Sequence, residues 1–335
     1  MGSLLEHGGR LRAAAHRYAI PVPQWLDLST GINPNGWPVP AIPERVWQQL
    51  PEDEDELIAT AQSYYQAPAL LPVAGSQAAI QMLPDLRPTC QVGILSPGYA
   101  EHAAAWSRAG HILQPLRSEQ IDQQIDHLDV LLLINPNNPT GECFCREQLL
   151  LWRQKLTNRG GWLIVDEAFI DSAPEESLAL ESTLPGLIVL RSLGKFFGLA
   201  GARVGFVLAE ASFLKVLKER LGPWALSGPA RWIASQALQD RRWQQQARQQ
   251  LNQQRLQLNQ LLQGMGLKPT GGSALFQWVV TPAAKKIHHQ LAQLGILTRL
   301  FQEPSSLRFG LPADRAALSR LQDALQQIQQ EVSLP

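Results

Sequence analysis

Five short, wholly apolar runs separated by stretches of helical periodicity constrain this chain more than any other feature. Residues 92–95, 130–134, 162–165, 187–190 and 204–208 are too short for helices and carry no polar side chain for a solvated sheet face. Strands apolar on both faces belong in a sheet that is covered on both sides. The intervening segments, residues 146–156 among them, have helical spacing, so a largely parallel sheet flanked by helices is the predicted core. Ligands of such sheets bind at the carboxyl ends of the strands.

Three of the runs end in polar residues that carry chemistry: Asn135-Pro136-Asn137-Asn138-Pro139-Thr140-Gly141, Asp166-Glu167-Ala168-Phe169, and Arg191-Ser192-Leu193-Gly194-Lys195. In a parallel sheet all three open onto one edge. Lys195 lies between Ser192 and Arg203 in a glycine-rich loop with Phe196, Phe197 and Leu199. A lysine desolvated by those rings and repelled by Arg203 is expected as a neutral nucleophile toward an aldehyde. Ser192 and Arg203 then form an anion clamp beside it. An amine for an aldehyde next to a phosphate clamp describes pyridoxal phosphate (PLP). Read alone, the same stretch also fits a solvated loop lysine among ordinary turn glycines.

The other candidates build on that convergence. Asp166 ends a buried run, where an unpaired charge is costly. The protonated pyridine nitrogen of PLP supplies a cationic partner; a helix cap or a magnesium ligand is the alternative. Asn138, between two prolines, is placed to donate to the cofactor's phenolate oxygen or simply to shape an Asn-Pro turn. Ser76 and Gln77 follow Gly75 at the start of an apolar helix over 78–83, whose first N–H groups cradle a phosphate or end in an ordinary cap. Tyr99 follows the first run and either stacks on the pyridine face or packs in the core. Arg299 and Arg308 suit a carboxylate or phosphate bidentately, with surface arginine as the other reading. His7-Gly8-Gly9 offers an imidazole and backbone anion site, or a flexible terminus.

The 335 residues suffice for a large domain and a smaller one, and 29 Lys+Arg balance 29 Asp+Glu. No net charge draws the protein to nucleic acid or an anionic membrane, so any anion is held locally. Residues 1–16 have no continuous apolar stretch and no later segment is long and apolar enough to span a bilayer, which predicts a cytoplasmic protein. Cys90, Cys143 and Cys145 form no disulfide framework, and Cys143-Phe144-Cys145 lacks the further ligands of a zinc site. No metal is expected.

The predicted organisation is an N-terminal arm over 1–33, a large cofactor-binding domain over 34–240 and a small α+β domain over 241–335. The arm, with Pro21 and Pro23 and little periodicity, is expected to run over the small domain and the site's mouth. Residues 240–263 read as one long amphipathic helix. A turn at 270–273, a strand at 274–280, a helix at 287–294, an extended stretch at 308–311 and a helix at 313–332 follow.

In order and spacing, Asn135-Pro-Asn-Asn138-Pro-Thr-Gly141, Asp166-Glu-Ala, and Ser192-Leu-Gly-Lys195 with Gly198-Leu-Ala-Gly-Ala-Arg203 resemble the fold-type I PLP enzymes of the class I/II aminotransferase group. The resemblance extends to both ends of the chain. It implies a three-layer α/β/α fold with a mostly parallel central sheet, a smaller α+β domain, and a homodimer. Within the group the chain is similar to histidinol-phosphate aminotransferases and, more closely, to the threonine-phosphate decarboxylases of cobalamin biosynthesis. Glu6-His7-Gly8-Gly9, Asp27-Leu-Ser-Thr-Gly-Ile-Asn-Pro34, and Phe169 in place of the group's usual tyrosine carry that closer likeness.

The resemblance implies a PLP-dependent carboxy-lyase acting on a small phosphorylated amino acid, or alternatively an aminotransferase. It assigns Lys195 to the cofactor's aldehyde, Asp166 to the pyridine nitrogen, Asn138 to the phenolate and Tyr99 to stacking. Ser76, Gln77, Ser192 and Arg203 take the cofactor phosphate. Arg308 takes the substrate carboxylate; Arg299, His7 and Gly8 take its phosphate; Gly31 and Asn138 complete the substrate site. Three positions depart from the group: Leu50-Pro51-Glu52 for Tyr-Pro-Asp, Gly194 for a hydroxyl residue, and Gly31 for an asparagine. A non-catalytic scaffold of the same fold has no need to keep Lys195, Asp166, Asn138 and Arg203 together.

Overall fold

The computed structural model describes residues 7–331. They divide into two compact units, one formed by 36–138 and 143–245, the other by residues up to 35, by 139–142 and by those from 246 on. In chain order the strands are β1 (Leu26–Asp27), β2 (Leu71–Val73), β3 (Gln91–Leu95), β4 (Ile112–Leu116), β5 (Val130–Ile134), β6 (Trp162–Asp166), β7 (Leu187–Ser192), β8 (Gly205–Leu208), β9 (Gly271–Ser273), β10 (Phe276–Val280), β11 (Ile296–Leu297), β12 (Arg299–Phe301) and β13 (Ser306–Gly310).

The larger unit is built on a seven-stranded sheet of order β2-β8-β7-β6-β5-β3-β4. Strands β3 to β7 run parallel, so β5, β6 and β7 end side by side at Ile134, Asp166 and Ser192. The run at 204–208 forms β8, but it lies antiparallel to both β7 and β2. An apolar run records burial, not direction. Val92, Val130, Leu132, Ile164, Ile188, Leu190 and Val207 pack with Trp106 into one core. Each fully buried aliphatic side chain contributes about 1.5–3 kcal/mol, which lets the strand ends carry polar groups that themselves cost stability.

The other unit contains a four-stranded antiparallel sheet of order β12-β13-β10-β9 and the parallel pair β1-β11. The arm is not irregular throughout: Leu11–Tyr18 is a helix. It buries Ala14 against Trp25, Ala292 and Leu297. Residues 271–273, expected as a turn, form β9 instead, because Gly271 lets the strand pass the carbonyl oxygen of Thr140, where a Cβ would collide. The remaining elements fall close to expectation as Arg241–Gly264, Ala284–Gln293 and Arg315–Glu331. Position 332, the expected end of the last helix, lies outside the described residues, as does Glu6.

Candidate functional site

The candidate residues of the larger unit, Ser76, Gln77, Tyr99, Asn138, Asp166, Ser192, Lys195 and Arg203, all line one cavity of about 120 Å³. Ile134, Asp166 and Ser192, the last residues of β5, β6 and β7, form part of its wall. The parallel register therefore brings together what the sequence scatters over 128 positions from 76 to 203.

Asp166 is only 4% exposed. Its Oδ1 accepts the Ala168 N–H at 3.0 Å and its Oδ2 lies 2.9 Å from Nε2 of His102. His102 escaped sequence reasoning, because a single histidine in the alanine-rich helix Ala100–Arg108 looks like a surface residue. The available signal was its spacing of three from Tyr99, which puts both on one helical face; the two rings meet edge-on at 6.1 Å. His102→Phe keeps an aromatic ring, slightly enlarged, and removes the donor from a buried carboxylate. The expected cost is about 1–3 kcal/mol, read as a lower urea midpoint.

Lys195 sits in a tight loop closed by its own backbone: Gly198 N–H donates to the Lys195 carbonyl at 3.1 Å and Leu199 N–H to the Leu193 carbonyl at 3.2 Å. Buried Phe196 and Phe197 anchor the loop against Trp243, with Phe197 stacked on the indole at 5.5 Å. The ammonium lies 5.5 Å from the centre of the Phe169 ring.

The edge of the cavity formed by Gly75, Ser192 and Arg203 rests on close approach. Gly75, at φ +75°, leaves room for the Arg203 guanidinium; a Cβ there would stand 2.7 Å from Nη2. Arg203 itself adopts φ +55° and donates from Nη1 to the Ala200 carbonyl at 3.1 Å. Ser192 Oγ accepts the Gly194 N–H at 3.2 Å. A side chain at 194 would press on that same hydroxyl and on Ala200, each 3.3 Å from an added Cβ. Glycine at this departure from the group's pattern therefore leaves the buried Ser192 hydroxyl uncrowded. Tyr99 donates to Gln77 Oε1 at 3.3 Å, and burial, then Glu101 and Asp166, push its hydroxyl up to about 12. Asn138 follows a loop shaped by its neighbours: Asn135 bonds Phe144 through both amide groups, and Asn137 donates to the Pro97 carbonyl at 2.9 Å.

Behind this wall lies a buried ion cluster. Successive strand residues point to opposite faces, so while Asp166 and Ser192 line the cavity, Glu167 and Arg191 turn away from it. Arg191 meets Glu167 at 3.0 Å, Asp171 at 2.6 Å and Ser177 Oγ at 2.8 Å, and its guanidinium covers the Tyr65 ring at 4.4 Å. Burial opposes the charge on Arg191, but Asp171 and Glu167 outweigh it and hold the guanidinium protonated. Burial pushes Glu167 up against the pull of Arg191.

The remaining candidates belong to the other unit. His7, Gly8 and Arg299 line a separate cavity of about 420 Å³ that includes Ser29. Ser29 Oγ accepts the Gly9 N–H at 2.8 Å, and Arg308 donates to the Ser29 carbonyl at 2.8 Å. Arg308 does not line that cavity, and neither does buried Gly31. Arg299 and Arg308 are cross-strand partners on β12 and β13. Like charges placed opposite each other are unfavourable without an anion between them. Burial and then Arg299 push Arg308 down to about 10, which leaves it charged at neutral pH.

The sequence matches the family "Aminotransferase class I and II" over residues 25–325. It is 56% identical over 322 residues to the threonine-phosphate decarboxylase of Pseudomonas aeruginosa, covering 96% of this chain and 97% of that protein. It is 41% identical to a threonine-phosphate decarboxylase from a Sinorhizobium species, covering 97% and 98%. Among solved structures, histidinol-phosphate aminotransferase from Sinorhizobium meliloti in complex with pyridoxal-5'-phosphate superposes with a TM-score of 0.82 at 20% identity, covering 98% of this chain and 96% of that one.

Proposed function

The chain belongs to the class I and II aminotransferase family, and from that premise we propose that it decarboxylates L-threonine O-3-phosphate to (R)-1-aminopropan-2-yl phosphate for cobalamin biosynthesis, with pyridoxal 5'-phosphate as its cofactor. What carries this reading is the near-full-length likeness to two threonine-phosphate decarboxylases.

The cavity at the ends of β5, β6 and β7 suits that cofactor by its donor set. The gap that Gly75 leaves beside Arg203, with Ser192 Oγ and the N–H groups of Ser76 and Gln77, fits a phosphate. Lys195 offers an amine for the aldehyde, Asn138 an amide for the phenolate, and Tyr99 a ring for the pyridine face. When bound, the cofactor supplies an electron sink for the pair left behind by departing carbon dioxide.

The chain's own residues set the conditions for that chemistry. Asp166, oriented by His102 and the Ala168 N–H, holds a proton on the pyridine nitrogen. Arg299, His7 and Gly8 bind the substrate phosphate and Arg308 its carboxylate, with Gly31 and Asn138 as further substrate contacts. Holding the substrate at two anionic ends selects which bond at the α-carbon breaks. The ε-amino group of Lys195 then delivers a proton to that carbon. We read the active form as a cytoplasmic homodimer: Trp47 and Leu50 are 64% and 67% exposed, which supports a partner on that face, and no described helix is long and apolar enough to cross a membrane.

Incubation with threonine phosphate alone is expected to release carbon dioxide without any keto acid. Glutamate from histidinol phosphate plus 2-oxoglutarate, with no carbon dioxide from the first mixture, would make the protein an aminotransferase instead.

A further inference from the structure

The 420 Å³ cavity that holds His7, Gly8 and Arg299 extends well past them, as a groove between the helices Leu11–Tyr18 and Ala284–Gln293. One wall presents Arg10 and Arg17, the other Lys285, His288 and His289. Among the described residues that line it there is no Asp or Glu. The chain as a whole has equal numbers of basic and acidic side chains, so this is a local concentration of cations and not the surface of a basic protein.

Its polar groups are tied into place. Tyr18 Oη lies 3.1 Å from His289 Nδ1, and His288 Nδ1 lies 2.9 Å from Thr298 Oγ1. The Arg17 guanidinium stands 5.6 Å from the centre of the Tyr18 ring. Three permanent cations outside the predicted substrate-phosphate contacts, Arg10, Arg17 and Lys285, line this one groove, an arrangement that suits a ligand of several negative charges.

Size narrows the ligand further. The cavity falls in the range of about 300–1,000 Å³ that small-molecule sites occupy, more than one phosphate requires. Arg10 and Arg17 are seven residues apart on a helical rise, roughly 10 Å. A lone phosphate held by Arg299 and His7 does not span that length, whereas a chain of phosphoryl groups does. We propose that the groove binds an oligophosphate anion, with one phosphoryl group in the substrate-phosphate subsite and the others on Arg10, Arg17 and Lys285, so that the oligophosphate excludes the substrate. The competitive part of this rests on the assignment of Arg299 and His7 to the substrate phosphate; the binding part does not. Tyr18, Ala13, Ala14 and Leu300 add an apolar margin that suits a nucleoside on the same chain.

The test titrates the cofactor-loaded enzyme with orthophosphate, inorganic tripolyphosphate and adenosine triphosphate by calorimetry, and measures inhibition of carbon dioxide release in parallel. Tripolyphosphate is expected to bind at least tenfold more tightly than orthophosphate and to compete with threonine phosphate. The exposed-residue double variant Arg17→Ala, Lys285→Ala should lose that tenfold advantage while keeping the parent's orthophosphate affinity, kcat and KM. Tighter binding of adenosine triphosphate than of tripolyphosphate assigns the ligand to nucleotides; equal binding assigns it to the bare chain. Tripolyphosphate that binds no better than orthophosphate, or an advantage that survives the double variant, overturns the proposal. Neither result depends on turnover, so failure of the decarboxylase reading shows separately, as absence of carbon dioxide with the binding data intact.

Discussion

Lys195→Ala is expected to lower carbon dioxide release from threonine phosphate by ~10³-fold or more, since one amine serves both as covalent anchor and as proton carrier. The fold should be untouched. The loop around position 195 is closed by backbone bonds, and its aromatic anchors Phe196 and Phe197 remain in place. The measurement pairs kcat with the visible absorbance of the purified protein before and after dialysis. Both should fall in the variant, while the urea midpoint of the cofactor-free protein stays at the parent's value. A variant that keeps its colour and its rate would make Lys195 an ordinary loop residue.

The largest stability effect is expected from Arg191→Met. Removing the guanidinium takes its positive charge away from buried Glu167 and Asp171, which costs about 3–5 kcal/mol. Lysine at the same position should recover only part of the loss, because its one nitrogen cannot stand in both places where Nη1 meets Glu167 and Nη2 meets Asp171. The pH dependence follows from the sign of the linkage. With Arg191 gone, its pull no longer opposes burial at Glu167, whose folded carboxyl then holds a proton that the unfolded one releases, so the variant's deficit grows as pH rises through the acid range. Cofactor affinity should fall with stability, because Glu167 and Arg191 adjoin Asp166 and Ser192 on the neighbouring ends of β6 and β7. Unfolding curves at several pH values and cofactor dissociation measured on the same variant check the two effects together. A variant as stable as the parent would mean that the cluster is dispensable.

The central sheet was legible because β3, β5, β6 and β7 are buried on both faces and so appear as unbroken apolar runs. The strands the runs missed are the edges. In β2 and β4, Pro72 and Pro115 interrupt the pattern and several residues remain partly exposed, as an edge position permits. The helix Leu11–Tyr18 was legible and was passed over: Leu11, Ala14, Ala15 and Tyr18 form an apolar stripe at i, i+3, i+4 and i+7, hidden by the prolines that follow it. The candidate residues were found where a strand end forces a polar group into a buried place, as at Asp166 and Ser192. His102 and the Arg191 cluster were not, because each acts through a contact across tens of residues: 64 from His102 to Asp166, 24 from Glu167 to Arg191. Spacing along a chain records periodicity within an element, and it says little about which elements meet.

The pairing of β1 with β11, and of Arg308 with the Ser29 carbonyl 279 residues earlier, has a consequence during synthesis. A ribosome adding 5–20 residues per second needs roughly 15–60 s to deliver the partner strand after the first has emerged. Through that interval the nascent segment around Trp25 and Leu28, buried in the finished protein, has only the helix before it to pack against and lacks its partners on β11 and β13. A strand made early thus waits for one made late before either is complete.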